Sequence, residues 1–168
     1  GFHNFLIPFV ESEDEARRAV AATRYPPAGV RGVSVSHRNN RYGTVPDYLA
    51  TVNDNICVLV QIESRKGVDS IDAIARVDGI DGIFVGPFDL SAALGRPGDF
   101  ANPEHVAAIS RVQRACQEAG KASFIYSPTV EDAKNRIRQG FDSVTYSMDA
   151  LLLIDAVKHA VAQLGDLD

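Results

Sequence analysis

The 168-residue chain contains no tryptophan, one methionine, two cysteines and four lysines. Each scarcity excludes something. Cys57 lies in a strand-like run and Cys116 in a helix-like one, without metal-ligand spacing. Neither a disulfide framework nor a thiolate metal site is therefore expected, and free thiols suit a reducing cytoplasm. No apolar run approaches the ~20 residues of a membrane span, and Gly1-Phe2-His3 does not open a secretory leader. Lys and Arg form no dense stripe and the net charge is -5, which argues against nucleic acid or a membrane as partner. A Schiff-base mechanism needs a desolvated lysine facing inward from a core strand. Lys66, Lys121, Lys134 and Lys158 all fall outside the strand-like runs; Lys121 only meets the amino end of one.

What is present is an ordinary globular composition, 45% hydrophobic and 23% charged, enough for a single domain over residues 1–168. Strand-like runs recur within 1–10, where the strand starts almost at once, and near 56–62, 82–85, 122–126 and 143–147, separated by helical patterns. Ser12 with Glu15 caps a helix ending near Arg24, whose inner stripe is Ala16, Val20 and Thr23 or Ala19. Val30–His37 alternates and reads as a short strand or an extended loop. A helix is expected from about Thr44 to Asn53, another over Val68–Val77, and one helical turn over Leu90–Leu94. Asn102 and Pro103 open a helix that stops at Gly120, with Val106, Ile109, Val112 and Cys116 inward. Thr129 with Asp132 caps the next helix, and Asp149 opens the last.

Five β/α repeats at this spacing fit a doubly wound sheet or part of a (β/α)8 barrel. Gly1 before Phe2 echoes the helix-stopping Gly140 before Phe141, which reads as the end of a helix upstream. Five units cannot close an eight-stranded barrel, so the expectation is a (β/α)8 TIM barrel of which about the last five units are in hand.

The central stretch runs from Val58 to Leu90. It reads VLVQIE, a helical pattern, then GIFVGPFDL. Two apolar runs joined through a helix make parallel strands, so Glu63 and Asp89 emerge on the same rim, where α/β proteins build their sites. Neighbouring strands lie ~5 Å apart, and one cation can bridge the two acids. The plainer reading is a pair of helix-capping acids. Carboxylates without nearby His or Cys select a hard ion such as Mg2+ or Mn2+, with Co2+ as a further option. Gln61, two residues before Glu63, points to the same side and is placed to donate to a bound carboxylate or carbonyl. Gly86 allows close backbone approach and Pro87 stiffens the turn. His37 alone of the histidines falls near the mouth, and it reads as a surface residue. His3, His105 and His159 fall at a strand start or on helices, so no catalytic residue is assigned.

NFLIPFVES, TRYPPAGVRGVSVSHR, VLVQIES, DGIDGIFVGPFDLSAALG and the last helix together resemble the HpcH/HpaI aldolase family. The resemblance implies a (β/α)8 barrel and a metal-dependent aldolase. Such an enzyme cleaves a 2-keto-3-deoxy sugar acid, such as 2-dehydro-3-deoxyglucarate, to pyruvate and an aldehyde. It implies Glu63 and Asp89 as metal ligands and Gln61, Gly86 and Pro87 around the pyruvyl part. It also implies a catalytic histidine and an arginine upstream of Gly1. The runs Phe124–Pro128 and Tyr146–Asp149 depart from the family pattern, and Tyr126 and Phe88 are expected to reshape the aldehyde pocket. Alternative readings are an oxaloacetate decarboxylase or acyl-CoA lyase of the same superfamily, or a non-catalytic metal-binding fragment. The run Leu151–Ile154 places apolar side chains all around the last helix (149–168). That predicts a homo-oligomer, a hexamer by the resemblance, in which this helix is exchanged between subunits.

Overall fold

The computed structural model describes residues 1–165. Five strands form one parallel sheet in chain order: β1 (Asn4–Ile7), β2 (Cys57–Ile62), β3 (Gly82–Val85), β4 (Ala122–Ser127) and β5 (Ser143–Tyr146). The helices are α1 (Glu13–Thr23), α2 (Tyr48–Thr51), α3 (Arg65–Asp69), α4 (Ile71–Ala75), α5 (Pro87–Ala93), α6 (Pro103–Ala119), α7 (Val130–Arg138) and α8 (Asp149–Gly165). Right-handed crossovers between strands that never reverse order keep the helices on one side. The result is a half-barrel, and the doubly wound alternative falls because it needs a reversal of strand order.

Side chains alternate across this sheet. Val58, Val60 and Ile62 of β2, Ile83 and Val85 of β3, and Ile125 of β4 are buried toward the helices, against Ala16, Ile71, Ile74, Ile109, Val112 and Cys116. Gln61 is in register with Phe84, and Phe84 with Phe124, so these three share the opposite, concave face.

The caps form where side-chain chemistry demands them. The Oγ atoms of Ser12 and Thr129 accept from Glu15 N and Asp132 N, and Asn102 Oδ1 accepts from Glu104 N. Glu15 reaches back to Glu11 N at 2.7 Å, one residue beyond the reciprocal capping-box position. Gly120 ends α6 at φ 65°, a left-handed conformation that glycine adopts without strain.

Several expectations shift. Val30–His37 forms no strand; Asn40 Nδ2 donates to Val35 O and holds the segment as a loop. The helix expected from Thr44 shrinks to α2 followed by a 3-10 turn, Val52–Asn55. The helix expected over Val68–Val77 starts earlier, at Ser64's cap, and breaks at Ser70 into α3 and α4. The inner stripe of α6 is His105, Ala108, Ile109, Val112, Ala115 and Cys116, while Val106 is half exposed. All seventeen residues of α8 are exposed, including Leu151, Leu152, Leu153 and Ile154. Residues 166–168 of the expected terminal helix lie outside the described residues. Among the described residues no helix is long and apolar enough to cross a membrane.

The amino rim is pinned by two aspartates in equivalent places. Asp81, just before β3, accepts from Val58 N at 2.7 Å. Asp142, just before β5, accepts from Ser123 N and Ser123 Oγ at 2.8 Å each. Those bonds, the backbone one first, hold the Asp142 carboxyl below the usual carboxylate range. A carboxyl whose pKa is lowered by folding adds stability above its unfolded pKa and loses it as pH falls. Asp142→Asn should therefore be less stable than the natural protein at pH 7. The difference should shrink in urea titrations as pH falls below the ordinary aspartate range. In the same titrations Ile125→Ala, at a fully buried position, should cost about 2–5 kcal/mol.

Candidate metal centre

Glu63 is the first residue after β2, and Ser64 behind it caps α3 by accepting from Gly67 N at 3.1 Å. The carboxylate is therefore fixed between a strand end and a helix start. It is 3% exposed, and a buried charge must be met by donors or by an opposite charge. Oε1 accepts from Phe9 N at 3.0 Å and Oε2 from Gln61 Nε2 at 2.6 Å. Burial pushes the Glu63 carboxyl above its ordinary range; the Phe9 N–H pulls it back, the Asp89 charge raises it, and the Gln61 amide lowers it.

The Phe9 donor is bought with local strain, since Phe9 sits at φ 53°, a left-handed conformation uncommon for a bulky residue. The segment after β1 is tied down beside it. Val10 N donates to Gln61 O at 3.2 Å, and Ser64 Oγ donates to Glu11 Oε1 at 2.6 Å. Lys66, outside the strands as read from the sequence, is a residue of α3 and pairs with Glu11 at 3.5 Å on the surface.

The second carboxylate follows β3. Gly86 N donates to Ile62 O at 3.2 Å and carries the chain past Glu63. A Cβ on Gly86 would lie 2.5 Å from Glu63 Oε2 and 2.8 Å from Gln61 Nε2, so any larger residue would push both side chains out of place. Helix α5 then begins at Pro87, three residues earlier than the turn expected from Leu90. Asp89 thus stands in the first turn of α5, on its exposed side, rather than in a strand-end loop. Its charge is felt at Glu63.

Gln61 lies on Glu63's side as expected, but one amide hydrogen is spent on Glu63 itself, leaving one for a ligand. Pro87 is buried, and Phe88 is 54% exposed with its ring edge-on to Phe100 at 4.8 Å. Pro87, Phe88 and Tyr126 line one cavity of about 230 Å3, shared with Phe100, Pro128, Thr129, Asp132 and Arg136. A larger hollow of about 590 Å3 lies at the other end of the strands, around Gly1, His3 and Asn55, far from this rim's chemistry.

Among the described residues no three His, Cys, Asp or Glu side chains converge as a metal cluster. Glu63 and Asp89 form a pair, and the donor chemistry fits a hard divalent ion that takes its remaining ligands from water and substrate. Each Glu63 oxygen accepts one hydrogen bond and keeps a further lone pair. A cation would also offset the burial and like-charge costs that raise this carboxyl. Two contributors escaped sequence reasoning. Phe9 acts through its backbone N–H, which no residue type signals. His105 is an inner-stripe residue of α6 that reaches Pro87 O at 3.0 Å. Its spacing from Ile109, Val112 and Cys116 was the available signal.

Comparison with known proteins shows the family. The profile of the HpcH/HpaI aldolase/citrate lyase family matches residues 1–156. The chain is 55% identical over 166 residues to a 5-keto-4-deoxy-D-glucarate aldolase of Citrobacter koseri and 52% identical to one of Klebsiella pneumoniae. Each match covers 99% of this chain, and the chain spans 63% of the length of those relatives. The crystal structure of an HpcH/HpaI aldolase/citrate lyase family protein from Burkholderia cenocepacia superposes with a TM-score of 0.94 at 37% identity, covering 96% of this chain and 65% of that one. Profile, sequence identity and superposition agree: the chain belongs to the HpcH/HpaI aldolase/citrate lyase family.

Proposed function

We propose that the chain is the metal-holding part of a divalent-metal-dependent aldolase that cleaves a 2-keto-3-deoxy sugar diacid to pyruvate and an aldehyde. The observation that carries the reading is the buried Glu63, oriented by Gln61 and Phe9, beside Asp89 on one rim. The relatives' substrate agrees chemically. Counted from its other end, a 5-keto-4-deoxy hexarate is a 2-keto-3-deoxy acid. Its cleavage breaks the C3–C4 bond. The electron pair goes to C3, the C4 hydroxyl loses its proton and becomes the aldehyde, and C3 takes up a proton to give pyruvate.

Glu63 and Asp89 would hold Mg2+ or Mn2+, with Co2+ as a further candidate, and the ion would supply Lewis acidity to a chelated 2-oxo acid. Gln61 has one amide hydrogen left to orient the pyruvyl oxygens. Gly86, without a Cβ, lets a ligand approach the backbone, and Pro87 stiffens it there. Phe88 and Tyr126 border the space for the aldehyde part. On this reading the base histidine and the arginine belong to the portion of the relatives' length that the chain does not span. The five strands are then the last five units of a (β/α)8 barrel within a single domain, working in the cytoplasm.

The exposed α8 supports a homo-oligomer. A buried leucine side chain contributes about 1.5–3 kcal/mol, and Leu151, Leu152 and Leu153 are all more than 40% exposed. A hexamer exchanging this helix between subunits would cover them.

In the complete natural protein, pyruvate release from 5-keto-4-deoxy-D-glucarate should require Mg2+ or Mn2+. A coupled lactate dehydrogenase assay reads it directly, and metal-replete protein that releases none overturns the proposal. Glu63→Gln and Asp89→Asn should each abolish Mn2+ binding in calorimetry with circular dichroism unchanged. Gly86→Ala, which pushes on Glu63 without removing it, should weaken binding by about 10–100-fold. Light scattering on Leu152→Glu with Leu153→Glu should show a smaller assembly. An assembly of natural size would remove α8 from the interface.

A further inference from the structure

We infer that His105, with Ser91, positions the Asp89 carboxylate by gripping the two peptide carbonyls just before it. This rests on the metal reading of Glu63 and Asp89. His105 is 1% exposed, and its Nε2 lies 3.0 Å from Pro87 O. A carbonyl only accepts, so Nε2 carries the proton in that contact. Ser91, also 1% exposed, donates from Oγ to Phe88 O at 2.6 Å and accepts from Gly98 N at 2.9 Å. Phe100 closes the arrangement, with its ring 4.8 Å from that of Phe88 and 5.6 Å from that of His105.

The polar pattern distinguishes this from plain packing. His105 Nδ1 is buried with no partner among the described residues, and an unpaired buried acceptor is destabilising. Leucine would fill the volume without that cost. What histidine adds is the donor at Pro87 O. Asp89 is exposed on the rim, so its place depends on its backbone. That backbone runs from Gly86, fitted against Glu63, through the two gripped carbonyls. Groups that orient a metal ligand in this way commonly contribute 10–100-fold in metal affinity.

Mn2+ titrations of the complete natural protein, followed by electron paramagnetic resonance and calorimetry, test the assignment. His105→Leu should weaken Mn2+ binding about tenfold or more with circular dichroism unchanged. His105→Gln, whose amide can donate to Pro87 O, should recover most of the loss. Natural affinity in His105→Leu overturns the inference, and so does a loss that glutamine does not recover, since that assigns it to packing. If His105→Leu does not fold, Ser91→Ala decides: weakened Mn2+ binding supports the grip and natural affinity overturns it. Natural protein that binds no Mn2+ overturns the metal reading, and this inference with it. Equal binding by the natural protein and all variants overturns the positioning role alone.

Discussion

A carboxylate with 3% exposure at a strand end is the constraint on which this rim depends. Desolvation opposes its charge, so its surroundings must supply donors. Three separate segments respond. The turn after β1 twists Phe9 into a left-handed conformation and presents an N–H. β2 presents the Gln61 amide. β3 ends in a glycine so that the chain can pass where a Cβ would strike Glu63 Oε2. The rim is thus assembled around one buried acid, with Asp89 the like charge beside it.

The two rims divide the work. At the amino rim Asp81 and Asp142 each close a hydrogen bond onto the neighbouring strand, and these acids serve the register of the sheet. At the carboxyl rim the acids raise the local electrostatic cost instead. Asp81 and Asp142 are exposed and accept backbone N–H groups, so they are satisfied and structural. A buried carboxylate facing another negative charge is incompletely compensated, and a cation is the charge that would relieve it.

The balance of burial also separates parts of the chain. The layer between sheet and helices is closed, with Val58, Val60, Ile62, Ile83 and Ile125 removed from water. Gly67 fits under Val10 O, where a Cβ would stand at 3.0 Å, so α3 can lie close beneath the rim. By contrast Leu6, Tyr146 and the apolar side chains of α8 stay exposed. Their packing requirements are not met within the described residues.

The sequence by itself determined the order of the strands, three helix caps and the emergence of two acids on one rim. Periodicity marked all five strands. Ser12, Asn102 and Thr129 announced caps because a side-chain oxygen near free N–H groups has one favourable use. Strand–helix–strand connectivity put Glu63 and Asp89 on one rim, because parallel strands leave no other choice. Only the tertiary structure decided what holds those acids. Phe9 donates through its backbone, which looks alike in every residue type but proline. Gly86 matters for an atom it lacks. Val106 and His105 are adjacent in sequence, and apolar character put Val106 inward; the fold placed His105 there instead, against Pro87 O. These are contacts between segments far apart in the chain, and local propensity carries no information about which distant group will arrive.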